Sequence, residues 1–320
     1  MERISRKVLV PDDFAGKRLD QVAAKLMSEF SRSRLKTWID DGRLTVDGTS
    51  AQPKSRLHGG EKLVLETELE PLAEVGPEPI ALEIVWRDDQ IFVIDKPAGL
   101  VVHPGAGNAS GTLQNALLSL DPALAAISRA GLVHRLDKDT SGLLVVARTL
   151  SAHKSLVAQL EARRMGRVYE AVSQGVLSGG GTIDAPLDRH PRDRTKMAVR
   201  ERGRPARTSY RVLERFRAHT HVEVRLDTGR THQIRVHMAH IRAPLVGDRV
   251  YGGRPRFPRA PSEALRASLE AFPRQALHAA RLSLAHPADG RLLSFESELP
   301  ADMLELLAVL RADRAVKQLR

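Results

Sequence analysis

GLVHRLDKDTSGLLVVA, residues 131–147, is an apolar run that breaks for His134, Arg135, Asp137, Lys138, Asp139, Thr140 and Ser141 and then resumes. The closing Leu143–Ala147 suits a buried strand, and breaks of this kind tend to be sites. IFVID at 91–95 and HVEVRL at 221–226 predict further strands. Helices are expected between and after them, at 111–120, at 151–164 behind the cap Ser151, and at 300–312. In the last of these, Met303, Leu306, Leu307 and Leu310 repeat at helical spacing. From about residue 80 the chain therefore reads as a mixed α+β domain.

Upstream, residues 17–67 read as a separate small unit. A first helix sets Leu19, Val22, Ala23, Leu26 and Phe30 on one face. A second opens at Ser31 and turns Leu35, Trp38 and Ile39 inward, leaving Arg32, Arg34 and Lys36 for solvent or phosphate. Two short strands follow, Leu44–Val46 ending in the turn pair Asp47-Gly48, and Lys62–Leu65. Residues 68–79 hold Pro71, Gly76, Pro77 and Pro79 among acids and read as a linker. The expected organisation is thus 17–67, linker 68–79, and 80–320.

The chain has 320 residues, with Lys and Arg totalling 50 against 39 for Asp and Glu, a net charge of +11. Such a field attracts polyanions, and nucleic acid is the leading partner class, although scattered charge would serve solubility alone. The basic surplus is locally greatest at 187–211, where nine Lys or Arg face three acids; that stretch is expected to be a flexible or hairpin-like arm suited to phosphate, or a solvated loop. The absence of cysteine removes disulfides, thiolate metal sites and cysteine nucleophiles together. No apolar run approaches the length of a membrane span, and the N-terminus lacks a signal-peptide core. A soluble, cytoplasmic chain is expected.

Several chemistries could use the 134–141 residue types. His134, Asp137 and Ser141 supply a hydrolase set, but Ser141 lies before a strand and outside any G-x-S-x-G elbow. Asp137 and Asp139 form a D-x-D that could hold Mg²⁺, yet His134 and Arg135 stand where a buried strand would be apolar. Alternatively, Asp139, Thr140 and Ser141 simply satisfy a tight turn through side-chain to backbone bonds. Gly105–Ser110 lacks the third glycine of a dinucleotide loop, and no G-x-x-x-x-G-K-[ST] occurs. No H-E-x-x-H occurs either, and His219/His221 and His237/His240 come without evident third ligands, so no metal and no cofactor are expected.

Taken together, IDKPAGLVVHP at 94–104, HRLDKDTS at 134–141, RVYEA at 167–171 and GRTHQIRVHM at 229–238 resemble four signature blocks of the RluA/RluD-type RNA pseudouridine synthases. Their order and spacing span residues 80 to about 300. Residues 17–67 resemble the S4 (αL-type) RNA-binding module of the RluD-like, large-subunit-rRNA branch, and GGRPR…RQALHA…HP at 252–287 also resembles that branch. The resemblance implies a mixed, largely antiparallel sheet with a central RNA-binding cleft, joined flexibly to the S4 unit.

It also implies an activity: isomerisation of uridines of 23S, large-subunit, ribosomal RNA during ribosome biogenesis. The uracil leaves C1′ of its ribose, turns, and rejoins through C5, without redox or metal help. Asp137 matches the family's catalytic aspartate, either attacking C1′ or abstracting a ribose proton. An ionised carboxylate in a closed site needs an opposing cation, and Arg235 matches the family arginine given that task. If 231–241 is helical, His232, Arg235 and Ala239 share one face, while Ile234, Met238 and Ile241 form the buried one. Tyr169 matches the active-site tyrosine, whose ring can stack on uracil and whose hydroxyl can assist loss of the C5 proton. Without the resemblance, Arg235 reads equally as a surface ion pair and Tyr169 as a buried strand residue.

Arg135 matches the position that inserts near the displaced nucleotide, and Arg230 is a further RNA-binding residue. Arg32, Arg34, Lys36 and Arg43 of the S4 unit would add phosphate contacts. With aromatic residues at only 4%, a broad stacking platform is not expected, so recognition should be mainly of RNA shape. The implied partner is large-subunit rRNA or the assembling large subunit, with no membrane, and the chain is expected to be a monomer. Two other classes compete: a non-catalytic RNA-binding or ribosome-assembly protein, and an Asp-dependent hydrolase needing a second carboxylate or Mg²⁺. Against the first, a pure binder has no need of a carboxylate facing a polyanion.

Overall fold

The computed structural model describes residues 3–27, 30, 32–68, 75–105 and 108–318, and the chain divides into two compact units, 1–74 and 75–320. In the first, an antiparallel sheet runs in the order β1 (Arg3–Leu9), β4 (Lys62–Glu68), β2 (Leu44–Val46), β3 (Thr49–Ser50). Two helices, α1 (Leu19–Leu26) and α2 (Arg32–Asp40), cover it. Leu19, Val22 and Ala23 meet Leu35, Trp38 and Ile39 and the strand residues Leu44, Leu63 and Leu65 in one core. Phe30 falls beyond the end of α1, where it stands edge-on to the Trp38 ring at 5.1 Å. Asp47 and Gly48, both at positive φ, make the expected turn. Strand β1 escaped the sequence because Ser5 to Leu9 are exposed or half-buried and show no apolar alternation. Ser31 and the stretch 69–74 of the expected linker lie outside the described residues, as do the side chains of Arg32 and Arg34.

The larger unit is built on eleven strands: β5 (Glu83–Arg87), β6 (Ile91–Lys96), β7 (Ser141–Ala147), β8 (Gly166–Gln174), β9 (Gly181–Asp184), β10 (Leu187–Arg189), β11 (Met197–Val199), β12 (Arg207–Arg215), β13 (His219–Leu226), β14 (Leu277–Ala285) and β15 (Leu292–Glu296). Its helices are α3 (Leu113–Leu120), α4 (Leu150–Glu161), α5 (Gln233–His240), α6 (Glu263–Ala271) and α7 (Ala301–Gln318). Nine strands form one sheet, ordered β5-β6-β7-β14-β8-β13-β12-β9, with β15 beside β14. Every pairing in it is antiparallel except β7 with β14.

The apolar run of 143–147 has a direct explanation. Leu144 and Val146 face one core together with Phe92 and Ile94 of β6 and Leu113 and Leu117 of α3. Leu143, Val145 and Ala147 face another, with Ile91, Val93 and the α4 residues Ala152 and Leu156. A strand covered on both faces has no polar side to alternate with. Tyr169, Ala171, Val222 and Val224 continue the first face and bring α5, through Ile234 and Met238, onto it.

Two local expectations are corrected and a third is narrowed. Helix α4 is capped by Thr149, whose side chain accepts from the Ala152 N–H, two residues before the expected cap Ser151. Of the two forms expected for the basic stretch 187–211, flexible or hairpin-like, the hairpin is the one present: β10 and β11 pair and the chain then enters β12. Thr140 and Ser141 do not satisfy the turn through side-chain to backbone bonds. That turn is closed by the Thr140 N–H on the Asp137 carbonyl, and the two hydroxyls bond to Gln275 and His278.

At the β7–β14 seam Gly142 sits at φ +110°, and a Cβ there would lie 2.4 Å from the Ala279 carbonyl oxygen. Gly142→Ala is therefore expected to destabilise the larger unit by about 2–4 kcal/mol, through both backbone strain and overpacking, read as a lowered midpoint in thermal or urea unfolding.

Candidate active site

Asp137 lies in the turn before β7, Tyr169 on β8 and Arg235 on α5, and the sheet order brings all three to the wall of a single cavity of about 610 Å³. That volume is in the range that encloses a small organic molecule of nucleotide size. Arg135, Arg230, Thr228, His232 and Leu277 line the same cavity.

The centre is one shared guanidinium. Arg235 donates through Nε and Nη2 to both oxygens of Asp248, at 2.7 and 2.9 Å, and through Nη1 to Asp137 Oδ2 at 3.2 Å. The ring of Tyr251 lies under the guanidinium at 5.1 Å, and Tyr251 is itself held by its hydroxyl contacts with His232 Nδ1 at 2.8 Å and the Met197 N–H at 2.9 Å. The fork geometry is thus used on Asp248, not on Asp137. Asp137 keeps one oxygen, Oδ1, without a hydrogen bond to any described residue, while 17% of its side chain remains exposed. An anion with one free oxygen at the wall of a cavity can act as nucleophile or base.

The surroundings decide the charge states. Burial disfavours the Arg235 cation, but the hydrogen bonds and charge of Asp248, followed by the charge of Asp137, outweigh it and hold the guanidinium protonated. Burial likewise opposes the Asp248 anion, and Arg235 together with the N–H groups of Tyr251 and Val250 overcomes that and keeps the carboxyl below its usual range. Burial pushes the Tyr169 hydroxyl up, outweighing the opposing charge of Arg167, with Asp137 adding to the rise, so the hydroxyl keeps its proton at neutral pH. His134 is driven down to about 3 by burial and by Arg167; its Nε2 accepts from the Val145 N–H, and it is a neutral, structural histidine.

The helix carrying Arg235 departs from the expected amphipathic pattern. It starts at Gln233, after His232 at φ +54°, and every residue from Gln233 to Met238 is buried. Both faces are covered because the polar side finds internal partners: Gln233 bonds to Thr228 and Thr208, His237 to Thr208 and the Ala185 carbonyl. The surface-ion-pair alternative for Arg235 is excluded by its burial, 7% exposed at the side chain.

The other expected site residues divide. Arg135 is exposed on the cavity rim, and Arg230 is half-buried there with Nε on the Pro205 carbonyl. In the smaller unit Lys36 is exposed, while Arg43 is half-buried, 3.8 Å from Asp41 and bonded to Thr67. Sequence reading missed Asp248 and Tyr251. The one signal available was that a buried arginine needs a carboxylate, and that Asp248 lies among Gly247, Gly252 and Gly253 in a stretch built for tight turns.

Removal of Asp248 strands the Arg235 charge. Asp248→Ala is expected to cost about 3–5 kcal/mol of stability in denaturant titrations. The folded carboxyl titrates below the 3.8 of the free group, so its contribution is complete at neutral pH and is lost as pH falls below that value. An acid-unfolding curve should show the wild type and the variant converging there.

Comparison with known proteins fits this geometry. A family model described as RNA pseudouridylate synthase matches residues 90–240, and one described as S4 domain matches residues 17–63. The chain is 59% identical to the ribosomal large subunit pseudouridine synthase D of Pseudomonas aeruginosa, over 98% of each chain. It is 51% identical to the protein of that name in Escherichia coli (strain K12), over 98% of this chain and 96% of the other. The solved structure of human RNA pseudouridylate synthase domain containing 4 superposes with a TM-score of 0.55 at 28% identity, covering 72% of this chain and 93% of that one. A cavity that unites the RVYEA tyrosine, the HRLD aspartate and the GRTHQIR arginine, in a chain with relatives this close, belongs to a member of the RNA pseudouridine synthase family, isomerases that act on RNA.

Proposed function

We propose that this chain converts specific uridines of 23S, large-subunit, ribosomal RNA to pseudouridine in the cytoplasm, with Asp137 as the reacting carboxylate. The observation that carries the proposal is the Asp137–Arg235 contact inside a cavity also lined by Tyr169. The names of the relatives, ribosomal large subunit pseudouridine synthase D, support the choice of RNA. Asp137 acts at C1′ through its free oxygen, as nucleophile or as base on the ribose. Arg235, clamped by Asp248, holds the carboxylate in place without spending its own charge. Tyr169 stacks on the detached uracil; the proton that C5 loses on joining C1′ is matched by the one N1 gains, so the protonated Tyr169 hydroxyl assists as a relay that gives up its own proton as it takes another. The three residues come from one chain, which supports action as a monomer. The expected division into an S4 unit at 17–67, a linker at 68–79 and a catalytic unit at 80–320 is part of the same proposal, with Lys36, Arg43, Arg32 and Arg34 as phosphate contacts of the first.

A target uridine must leave its stack, at a cost of a few kcal/mol. Arg135 on the rim is suited to the vacated position. Around the cavity, Arg129, Arg135, Arg163, Arg167, Arg204 and Arg230 form no ion pair with a described carboxylate. Arginines elsewhere are commonly paired, as Arg207 is with Asp227 and Arg311 with Glu214. Arg230 is depressed from its usual value by burial and then by the charges of Arg204 and Arg163. Unpaired like charges held around a cavity are costly without a polyanion to receive them, which supports RNA as the occupant.

Asp137→Asn is expected to abolish pseudouridine formation on in vitro transcribed 23S rRNA, scored by carbodiimide mapping, with RNA affinity within about twofold of wild type. Continued turnover by this variant would reject the proposed mechanism. Arg163→Gln and Arg204→Gln should each reduce the slope of log affinity against log salt by about 0.7–0.9, whereas Arg311→Gln should leave it unaltered.

A further inference from the structure

Asp137 is only the first residue of its turn, and each of the next four is held from outside. The Lys138 carbonyl accepts from Lys96 Nζ at 3.0 Å, and the fully buried Lys96 also donates to the carbonyls of Pro97 and Leu100. The Asp139 carbonyl accepts from Arg274 Nη1 at 3.1 Å. Thr140 Oγ1 accepts from Gln275 Nε2 at 3.1 Å, and Ser141 Oγ meets His278 Nδ1 at 3.0 Å. Three of these four holders come from residues 274–278, and all of them are buried. Arg274 is in turn gripped by Asp302, Nε to Oδ2 at 2.7 Å and Nη2 to Oδ1 at 2.8 Å, and Asp302 lies in the first turn of α7.

We infer that Arg274 is a positioning residue for the reaction, transmitting the location of the C-terminal helix through Asp302 to the backbone of the Asp137 turn. The inference rests on Asp137 being the reacting carboxylate. The geometry favours it for two reasons. Arg235 is committed to Asp248 by two bonds and to Asp137 by one, so the side-chain contact alone leaves the Asp137 backbone free to shift. Arg274, by contrast, uses one nitrogen on the turn and the other two on Asp302, and Nη1 also reaches the carbonyls of Gln275 and Leu277, so it cannot follow the turn if the turn moves. Near-attack geometry at a carbon tolerates little displacement, and a shift of about 1 Å can lower turnover by about a hundredfold.

The test compares Arg274→Lys, Arg274→Met, Asp302→Asn and the double variant Arg274→Met/Asp302→Asn on 23S rRNA transcripts, with kcat and KM measured separately on folded protein. Asp302 is about a third exposed and its substitution is the one expected to fold without difficulty. Arg274→Met should lower kcat by about tenfold to a hundredfold with KM changed less than about twofold. Arg274→Lys should recover part of the loss, since an ammonium reaches the carbonyl without the fork on Asp302. Asp302→Asn should lower kcat by a smaller factor, and the double variant should be no worse than Arg274→Met alone, because both act through one link. Unchanged kcat in Asp302→Asn, effects that multiply in the double variant, or a loss confined to KM or to the folded fraction would overturn the inference. Asp137→Asn, run alongside, separates the two failures: if it retains turnover the carboxylate assignment is wrong, and if it is dead while the Arg274 and Asp302 variants are fully active, only the positioning role is.

Discussion

One guanidinium shared between two carboxylates governs the larger unit. Arg235 is buried, and a buried cation survives only where its charge and its donors are answered. Asp248 does both by taking two bonds in the fork geometry, which leaves one donor for Asp137. The result is an arrangement in which the permanent pair is structural and the third contact is directional. Asp137 is oriented through one oxygen only, and the residue lines a cavity of about 610 Å³. Much of the neighbourhood serves that pair: Tyr251 under the guanidinium, the Val250 and Tyr251 N–H groups on Asp248, and His232 on the Tyr251 hydroxyl.

The sheet supplies the distances. Its strand order brings together residues far apart in sequence, Asp137 before β7, Tyr169 on β8 and Arg235 after β13, with β14 inserted between β7 and β8. That insertion is the single parallel pairing, and it needs Gly142, whose missing Cβ lets the Ala279 backbone approach. The same close approach puts His278 beside Ser141 and the 274–278 segment under the turn that carries Asp137.

Elements with strong local pattern were legible in the sequence: the run 143–147, the α1 and α2 faces, the Asp47-Gly48 turn, and α7 from the Met303, Leu306, Leu307, Leu310 spacing. Family resemblance identified Asp137, Tyr169 and Arg235 as a set, which no local pattern could, since their meeting is a property of strand order. What escaped was set by partners distant in the chain. Asp248 carries no periodic signal and is explained only by Arg235. Arg274 stood in the RQALHA stretch without an assigned role, and its pairing with Asp302, 28 residues on, is visible only in the folded chain. The amphipathic reading of α5 failed for the same reason: Gln233 and His237 are polar yet buried, each satisfied by an element elsewhere in the sequence.

The hydrogen bond between Ser141 and His278 spans 137 residues of chain. During synthesis, an emerging polypeptide that has already presented every residue from the tyrosine to the arginine still lacks β14 and the last helix. The strand that separates β7 from β8 follows all of them in the chain, and without it the turn 137–141 lacks its contacts with Arg274, Gln275 and His278. The turn 137–141 therefore takes its final form only after residues 274–278 have been made and have folded under it.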